Sequence, residues 1–315
     1  MTFQIESINI SAKKREKKHS VKSVIIREGL GLAGDAHQGI KNQEVSFLSR
    51  EEIDQFNSSL PNGSFGENLT LRCIDTDRIQ WLDRIIIKGR VVLEVTRKGK
   101  TCHERCHIYD ENGDCIMPKK GFFARVIRGG RVSRGDPATL IPKTFRVSIM
   151  TLSDRASKGV YADHSGEAIR EQIQNYFMDR GRLCDITKQI LPDSATLLRK
   201  TLNAELTMPS ADMIFTTGGT GIGLRDITIE TVRPFLHKEL SGIPEFIRLK
   251  YGQTNPRALL SRSICGTRGR SLIFCLPGSV KAVQEYLDEI VPQLDHVLAM
   301  IHDIDTPHEH QGERI

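Results

Sequence analysis

Thr216-Thr217-Gly218-Gly219-Thr220-Gly221-Ile222-Gly223 sets four glycines and three threonines directly behind the run Ala211-Asp212-Met213-Ile214-Phe215. Glycine lacks the Cβ that would hold a ligand away, so backbone N–H groups and hydroxyls become reachable, as in a cradle for phosphate or a planar ring. No Lys follows the glycines, so this is not a Walker A loop, and their spacing does not fit the dinucleotide fingerprint. The glycines alone suit a tight turn equally well. Arg225-Asp226 follows the loop and Pro192-Asp193 precedes it in the chain. A pair of carboxylates beside a phosphate cradle suits magnesium, which takes one or two and completes its shell with phosphate and water. Asp193 and Asp226 could equally be helix N-caps.

A second concentration of chemistry is Cys102-His103-Glu104-Arg105-Cys106-His107 with Cys115, three thiols and two imidazoles within fourteen residues. Zinc normally wants two closely spaced ligand pairs, which this spacing does not supply in standard form. Haem attachment at Cys106-His107 does not suit a cytoplasmic chain. A reactive or cofactor-ligating thiol fits better, since His103, Arg105 and His107 would favour thiolate, and inert half-buried cysteines are the alternative. Gly34-Asp35-Ala36-His37-Gln38-Gly39 is a glycine-bounded turn with one acid and one His.

The elements that must position these groups differ between the two halves. Residues 1 to 142 read as mostly strand: Phe3 to Ile10, Val21 to Ile26, Val45 to Leu48, Ile85 to Ile87 and Val91 to Val95. Arg50 to Phe56 and Phe122 to Ile127 are the helical candidates, and a small β-barrel accounts for the rest. Lys13-Lys14-Arg15-Glu16-Lys17-Lys18 reads as a solvated hairpin loop. Arg134 to Lys143, with prolines at 137 and 142, reads as a linker into a second domain over 143–315.

There strands alternate with helical patterns: Phe145 to Leu152, Leu183 to Leu191, Met213 to Thr217 and Leu272 to Leu276 are strands. Helices fall around Ile169 to Arg180, Leu198 to Leu206 and from Val280 onward, with Pro292 dividing the last. This order predicts an α/β domain with a mostly parallel, doubly wound sheet. Ser153-Asp154-Arg155, Pro192-Asp193, the glycine loop and Pro277-Gly278-Ser279 all follow carboxyl ends of strands, the edge where such sheets bind ligands. These four turns are expected to line one pocket.

Length and composition bound the function. The chain has 315 residues, enough for two domains, and 45 basic against 39 acidic residues. That balance suits small anionic ligands and does not demand nucleic acid. Seven cysteines in such a length make no disulfide scaffold, no apolar leader is evident, and no run reaches the ~18 apolar residues a membrane helix needs. A cytoplasmic protein is expected.

Two resemblances follow from these motifs. Gly34-Asp35-Ala36-His37, Glu67-Asn68-Leu69, Cys102, Gly113-Asp114-Cys115-Ile116-Met117-Pro118 and Gly121-Phe122-Phe123-Ala124 resemble a short-form MOSC domain, the β-barrel at the C-terminus of molybdenum cofactor sulfurases. The resemblance implies that Cys102 carries sulfur or touches the molybdenum cofactor, with His37, Cys106 and Cys115 as accompanying candidates. Where family members often have a second His, this chain has Asn42-Gln43-Glu44.

Ser153-Asp154-Arg155, Pro192-Asp193, Thr216 to Gly221 with Arg225-Asp226 and Thr228, Leu260-Ser261-Arg262 and Leu276-Pro277-Gly278 resemble the molybdopterin adenylyltransferases, with Leu224 where the family usually has Pro or Ala. That likeness implies magnesium-dependent transfer of AMP from ATP to the terminal phosphate of molybdopterin. Asp193 and Asp226 would act in catalysis and hold the magnesium. Ser153, Asp154, Arg155, Thr217, Gly218, Gly219, Thr220 and Gly221 would bind ligand, with Ser261, Arg262, Pro277, Gly278 and Ser279 on the pterin side. Partners would be other enzymes of molybdenum cofactor biosynthesis and, as is common in the family, further copies of the chain in a trimer. A non-catalytic cofactor carrier and a metal-sensing regulator are the alternatives.

Overall fold

A computed structural model describes residues 2–14, 16–99, 109–110, 113–207 and 209–304. Two compact units divide it, one holding Met1–Lys143 and the other Thr144–Asp303.

In the first unit the short Val- and Ile-rich runs become strands β1 (Thr2–Ile10), β2 (His19–Val21), β3 (Ser23–Arg27), β4 (Gly31–Leu32), β5 (Val45–Ser49), β6 (Leu69–Arg72), β7 (Arg84–Ile87), β8 (Val91–Lys98), β9 (Phe122–Arg128), β10 (Gly130–Ser133) and β11 (Pro137–Ile141). Their hydrogen-bonded order β11-β7-β8-β9-β5-β6-β1 returns to its start through a β1–β11 pairing, so the sheet closes into a barrel. Strands β5 and β6 run parallel, while the other pairs around the ring are antiparallel. Alternation along the strands sends Phe3, Ile5, Phe47, Leu71, Ile85, Leu93 and Phe122 inward. The rings of Phe47 and Phe122 stack with centroids 4.6 Å apart.

Three local expectations are corrected here. Phe122 to Ile127 is strand β9 and not a helix, because Gly121 and Gly129 bound it and its residues pair with both β5 and β8. The stretch read as a linker contains β11, whose pairing with β7 and β1 closes the barrel. Within the basic run, Lys18 is not solvated: its ammonium is buried and lies 2.7 Å from both carboxylate oxygens of Asp35.

The second unit contains β12 (Thr144–Leu152), β13 (Leu183–Leu191), β14 (Met213–Thr217), β15 (Lys238–Glu239), β16 (Cys265–Arg268) and β17 (Ser271–Leu276) in one sheet of order β13-β12-β14-β17-β16-β15. The four strands anticipated from periodicity are parallel, and β16 and β15 extend the sheet antiparallel at one edge. Met150, Ile214 and Ile273 pack with Leu198, Leu202, Ile229 and Val232 of the helices Ala195–Glu205 and Thr228–Val232. Phe145 points from β12 the other way and stacks on Phe177 of the helix His164–Asp179 at 4.9 Å. Each face of the sheet is therefore covered by helix. Pro292 lies in a 3-10 turn between the helices Val280–Ile290 and Leu294–Ile301, as its missing N–H requires.

Candidate functional site

From β12 the chain goes to β13 on one side and then crosses back over β12 to β14 on the other, so loops at the carboxyl ends of β12 and β14 diverge and leave a crevice. A cavity of about 990 Å³ occupies it, and its walls include Ser153, Asp154 and Arg155, then Asp193, then Thr217, Gly218 and Gly219 with Asp226, then Gly278 and Ser279. Residues from all four turns thus meet on one cavity.

The glycines are required by the geometry. Gly218 has φ +95°, and a Cβ there would lie 2.4 Å from the Leu152 carbonyl oxygen; Gly219 has φ +65°, with the Thr228 hydroxyl 2.4 Å from where its Cβ would stand. Thr228 donates that hydroxyl to the Gly218 carbonyl at 2.8 Å, and Thr217 donates its own to the Pro277 carbonyl at 2.7 Å, fastening the loop to its neighbours. Three helix N-termini open on the same cavity through cap residues that line it: Ser153, Asp163 and Ser279 accept from the backbone N–H groups of Ala156, Gly166 and Ala282. Such ends carry partial positive charge and favour anions.

Neither central carboxylate is a helix cap. Ser194 caps the helix Ala195–Glu205, and the helix Thr228–Val232 begins without any side-chain cap. Asp193 and Asp154 instead interlock: the Asp154 N–H lies 3.4 Å from an Asp193 carboxylate oxygen and the Asp193 N–H donates to Asp154 Oδ1 at 3.1 Å. Burial pushes the Asp193 carboxyl above its ordinary range. The Asp154 N–H opposes the rise, the Asp154 charge adds to it, Arg225 opposes it, and Asp226 adds again. Asp226 accepts from the Gly223 N–H at 2.7 Å. Arg225 reaches Asp154 Oδ2 at 3.5 Å.

Among the described residues no three His, Cys, Asp or Glu side chains gather closely enough to enclose a metal. A carboxylate raised by burial, with two neighbouring carboxylates adding to the rise, nevertheless suits a cation whose remaining ligands come from a substrate.

Of the other residues named from sequence, Thr220 is buried within the loop, Gly221 packs against the Asp226 carboxylate, and Pro277 receives the Thr217 hydroxyl. Ser261 and Arg262 stand apart from the large cavity, on a smaller one of about 290 Å³ with Arg233, Arg248 and Ser263. Sequence reasoning passed over Thr151, Tyr161, Asp163, His164 and Ser165, which also line the cavity. Asp163 carried a legible signal, an acidic residue at the start of a helical pattern.

Residues 148–296 match the family described as a probable molybdopterin binding domain, and residues 34–139 match the MOSC domain. The molybdopterin adenylyltransferase of Helicobacter pylori is 36% identical over 159 residues, which make up 50% of this chain and 89% of that protein. The chain belongs to the molybdopterin adenylyltransferase family. Molybdenum cofactor biosynthesis protein B of Staphylococcus aureus is 36% identical over 163 residues, 50% of this chain and 91% of that one. The solved tungsten cofactor synthesizing protein MoaB from Pyrococcus furiosus is 36% identical, covers 51% of this chain and 98% of its own, and has a TM-score of 0.45. The name of the Helicobacter relative is that of a nucleotidyltransferase, the enzyme class read from the sequence, and the residues that match the molybdopterin binding domain lie in the second unit.

The first unit is the MOSC half. Cys102, His103, Cys106 and His107 lie outside the described residues. Cys115 packs against the apolar cluster of Leu48, Ile53, Phe65, Met117 and Phe123. His37 stands beside the Lys18–Asp35 pair, its Nδ1 3.4 Å from the Lys18 ammonium and 3.5 Å from Asp35 Oδ2. Burial would raise the Asp35 carboxyl, but hydrogen bonds from His37 and Lys18, the Lys18 charge and the Ser11 N–H together hold it well below the usual range.

Proposed function

We propose that the second unit, read as a doubly wound α/β domain, adenylylates molybdopterin with ATP and magnesium. The convergence of all four strand-end turns on one cavity carries the reading, with the family membership behind it. A terminal phosphate oxygen of molybdopterin attacks the α-phosphorus of ATP, a new P–O–P bond forms, the bond from that phosphorus to the bridging oxygen of the leaving pyrophosphate breaks, and pyrophosphate departs with the electron pair. The nucleophile is already an anion, so no general base is needed, and the protein's work is to hold two anions in line.

The residues suit that task. The backbone N–H of Gly219 and the helix ends behind Ser153 and Ser279 receive phosphate oxygens, while the Gly218 N–H is taken by the Leu276 carbonyl at 3.1 Å. Asp193 and Asp226 would hold magnesium, which neutralises charge on the triphosphate when bound. Arg155 and Arg225 supply positive charge at the cavity mouth. The barrel's part, to bind, carry or sulfurate the finished cofactor through Cys102, rests on its match to the MOSC domain. A Cys102→Ser protein that still retained cofactor and took up sulfur would count against that role.

The test is mass spectrometry of the pterin product after incubation with molybdopterin, ATP and magnesium. The parent protein is expected to yield the AMP adduct and Asp226→Ala to form it roughly 10²- to 10³-fold more slowly, the usual loss for one electrostatic partner. Bound but unmodified molybdopterin with both proteins would leave a cofactor carrier in place of the enzyme.

A further inference from the structure

Arg262 lies behind the glycine loop, and its hydrogen bonds are made to protein groups. Its Nε donates to the Gly221 carbonyl at 2.7 Å and one Nη donates to the Asp226 carbonyl at 3.1 Å. Those carbonyls are the two ends of the arch Gly221 to Asp226, so one planar guanidinium ties the base of the loop shut. The backbone N–H of Arg262 adds a bond to the Thr220 carbonyl at 2.9 Å. On the far side both Nη atoms meet the Glu230 carboxylate, the longer contact being 3.4 Å. Glu230 belongs to the helix Thr228–Val232, which begins two residues after Asp226.

Inside the closed arch, Asp226 accepts from the Gly223 N–H, and any Cβ at Gly221 would lie 2.7 Å from its carboxylate. The side chain that faces the cavity is therefore aimed by a loop whose own ends Arg262 fixes. Between those ends the arch is tied on itself by Gly223 and Asp226, the Asp226 N–H donating to the Gly223 carbonyl at 2.9 Å, and Arg225 reaches Asp154 at 3.5 Å, while Ile222 and Leu224 are 74% and 104% exposed. An Arg suits this position because its fork reaches two carbonyls and a carboxylate in one plane, which the single ammonium of Lys cannot.

We infer that Arg262, held by Glu230, is a positioning residue for the Asp226 carboxylate and binds neither substrate. The inference rests on the adenylyl-transfer reading for its kinetic arm but has a second arm that does not. A residue that held the pterin would, on substitution, weaken molybdopterin binding and leave the nucleotide side alone. A clamp on the Asp226 loop does the reverse.

The experiment compares the parent, Arg262→Lys and Glu230→Gln in the full chain, titrating magnesium, ATP and molybdopterin separately. Residues that orient a metal ligand from behind typically change affinity or activity 10- to 100-fold, so Arg262→Lys is expected to raise the magnesium needed for half-maximal rate roughly tenfold or more and to lower kcat. The KM for molybdopterin is expected to stay within about twofold, and Glu230→Gln to shift the magnesium requirement in the same direction by less. In the second arm, amide hydrogen exchange over Thr220 to Asp226 is expected to speed up in both variants without added substrate, with the overall melting transition retained. Loss confined to molybdopterin affinity, or Glu230→Gln indistinguishable from the parent in magnesium requirement and exchange, would overturn the inference. A parent that transfers no AMP while the exchange arm behaves as stated would fault the reaction and leave the clamp standing. Should Arg262→Lys not fold, Glu230→Gln decides by the same two measurements.

Discussion

In the barrel Asp35 receives Lys18, Ser11 and His37, and Glu67 receives the N–H groups of Gly63 and Phe65 and the Thr70 hydroxyl. At the sheet edge of the other unit Asp193 faces a cavity with two more carboxylates beside it and one arginine within reach. Asp35 and Glu67 are buried and engaged by the protein itself; the Asp193 carboxylate meets the Asp154 N–H and is left open on the cavity side. Carboxylates that close a structure are surrounded by donors, and carboxylates that await a ligand are surrounded by their own kind. Burial pushes up both the Glu67 and the Asp193 carboxyls, but only at Asp193 do neighbouring carboxylates add to the rise, a strain that a bound cation relieves.

Lys18→Met gives the largest expected break. It strands the Asp35 carboxylate in the barrel, and removing one partner of a buried pair costs about 3–5 kcal/mol, to be read from denaturant unfolding of the full chain at neutral pH. Because the folded-state Asp35 value lies below the unfolded one, the stability it contributes is present above the ordinary carboxylate range and is lost as pH falls through the folded value. The gap between Lys18→Met and parent is therefore expected to narrow in acid.

Glu67→Gln removes a carboxyl that burial pushes up, but it aims an NH2 group at the Gly63, Phe65 and Thr70 donors that hold it, and about 1–3 kcal/mol of net destabilisation is expected from unfolding curves.

Asp193→Asn gives the smallest change in stability and the opposite sign. Its raised folded-state value means that the ionised form opposes folding, so without magnesium or nucleotide the variant is expected to be slightly more stable at neutral pH, an advantage that disappears once the pH falls below the ordinary carboxylate range. The same protein is expected to lose most of its adenylyl transfer, and calorimetry beside product assay separates the two effects. A variant less stable than the parent at neutral pH would contradict the comparison.

The sequence was most legible where a pattern had one physical reading. Met213–Thr217 is apolar, ends in a glycine loop and is a strand with those bounds, and Pro292 separates two helices because it cannot continue one. Ambiguity arose where one composition fits two environments. Phe122 to Ile127 is apolar enough for either helix or strand, and only pairing with β5 and β8 decides. Pro137 looked like a linker residue, yet it opens β11.

At the site, the four turns were visible because each follows a strand, whereas the wall from Tyr161 to Ser165 comes from a helix start whose direction is set by packing of Phe177 on Phe145. Lys18 was hidden in a run of like residues, since nothing in the run itself says which member meets Asp35. The position of Ser261 and Arg262 behind the loop depends on the antiparallel edge β15–β16, which the alternating strand and helix pattern did not announce.

The closure of the barrel has a consequence for the order in which the chain is made. Strand β1 emerges before the other strands of the unit, but its partner in the pairing Thr2↔Thr139 belongs to the last of them. A nascent barrel therefore carries an open edge through most of its synthesis, and joining its ends means closing a loop of well over a hundred residues, the kind of long-range contact that slows folding and exposes pairing edges to other chains. The second unit pairs β12 with β13 and β14 across shorter spans, so it is the half expected to reach its native form sooner once complete.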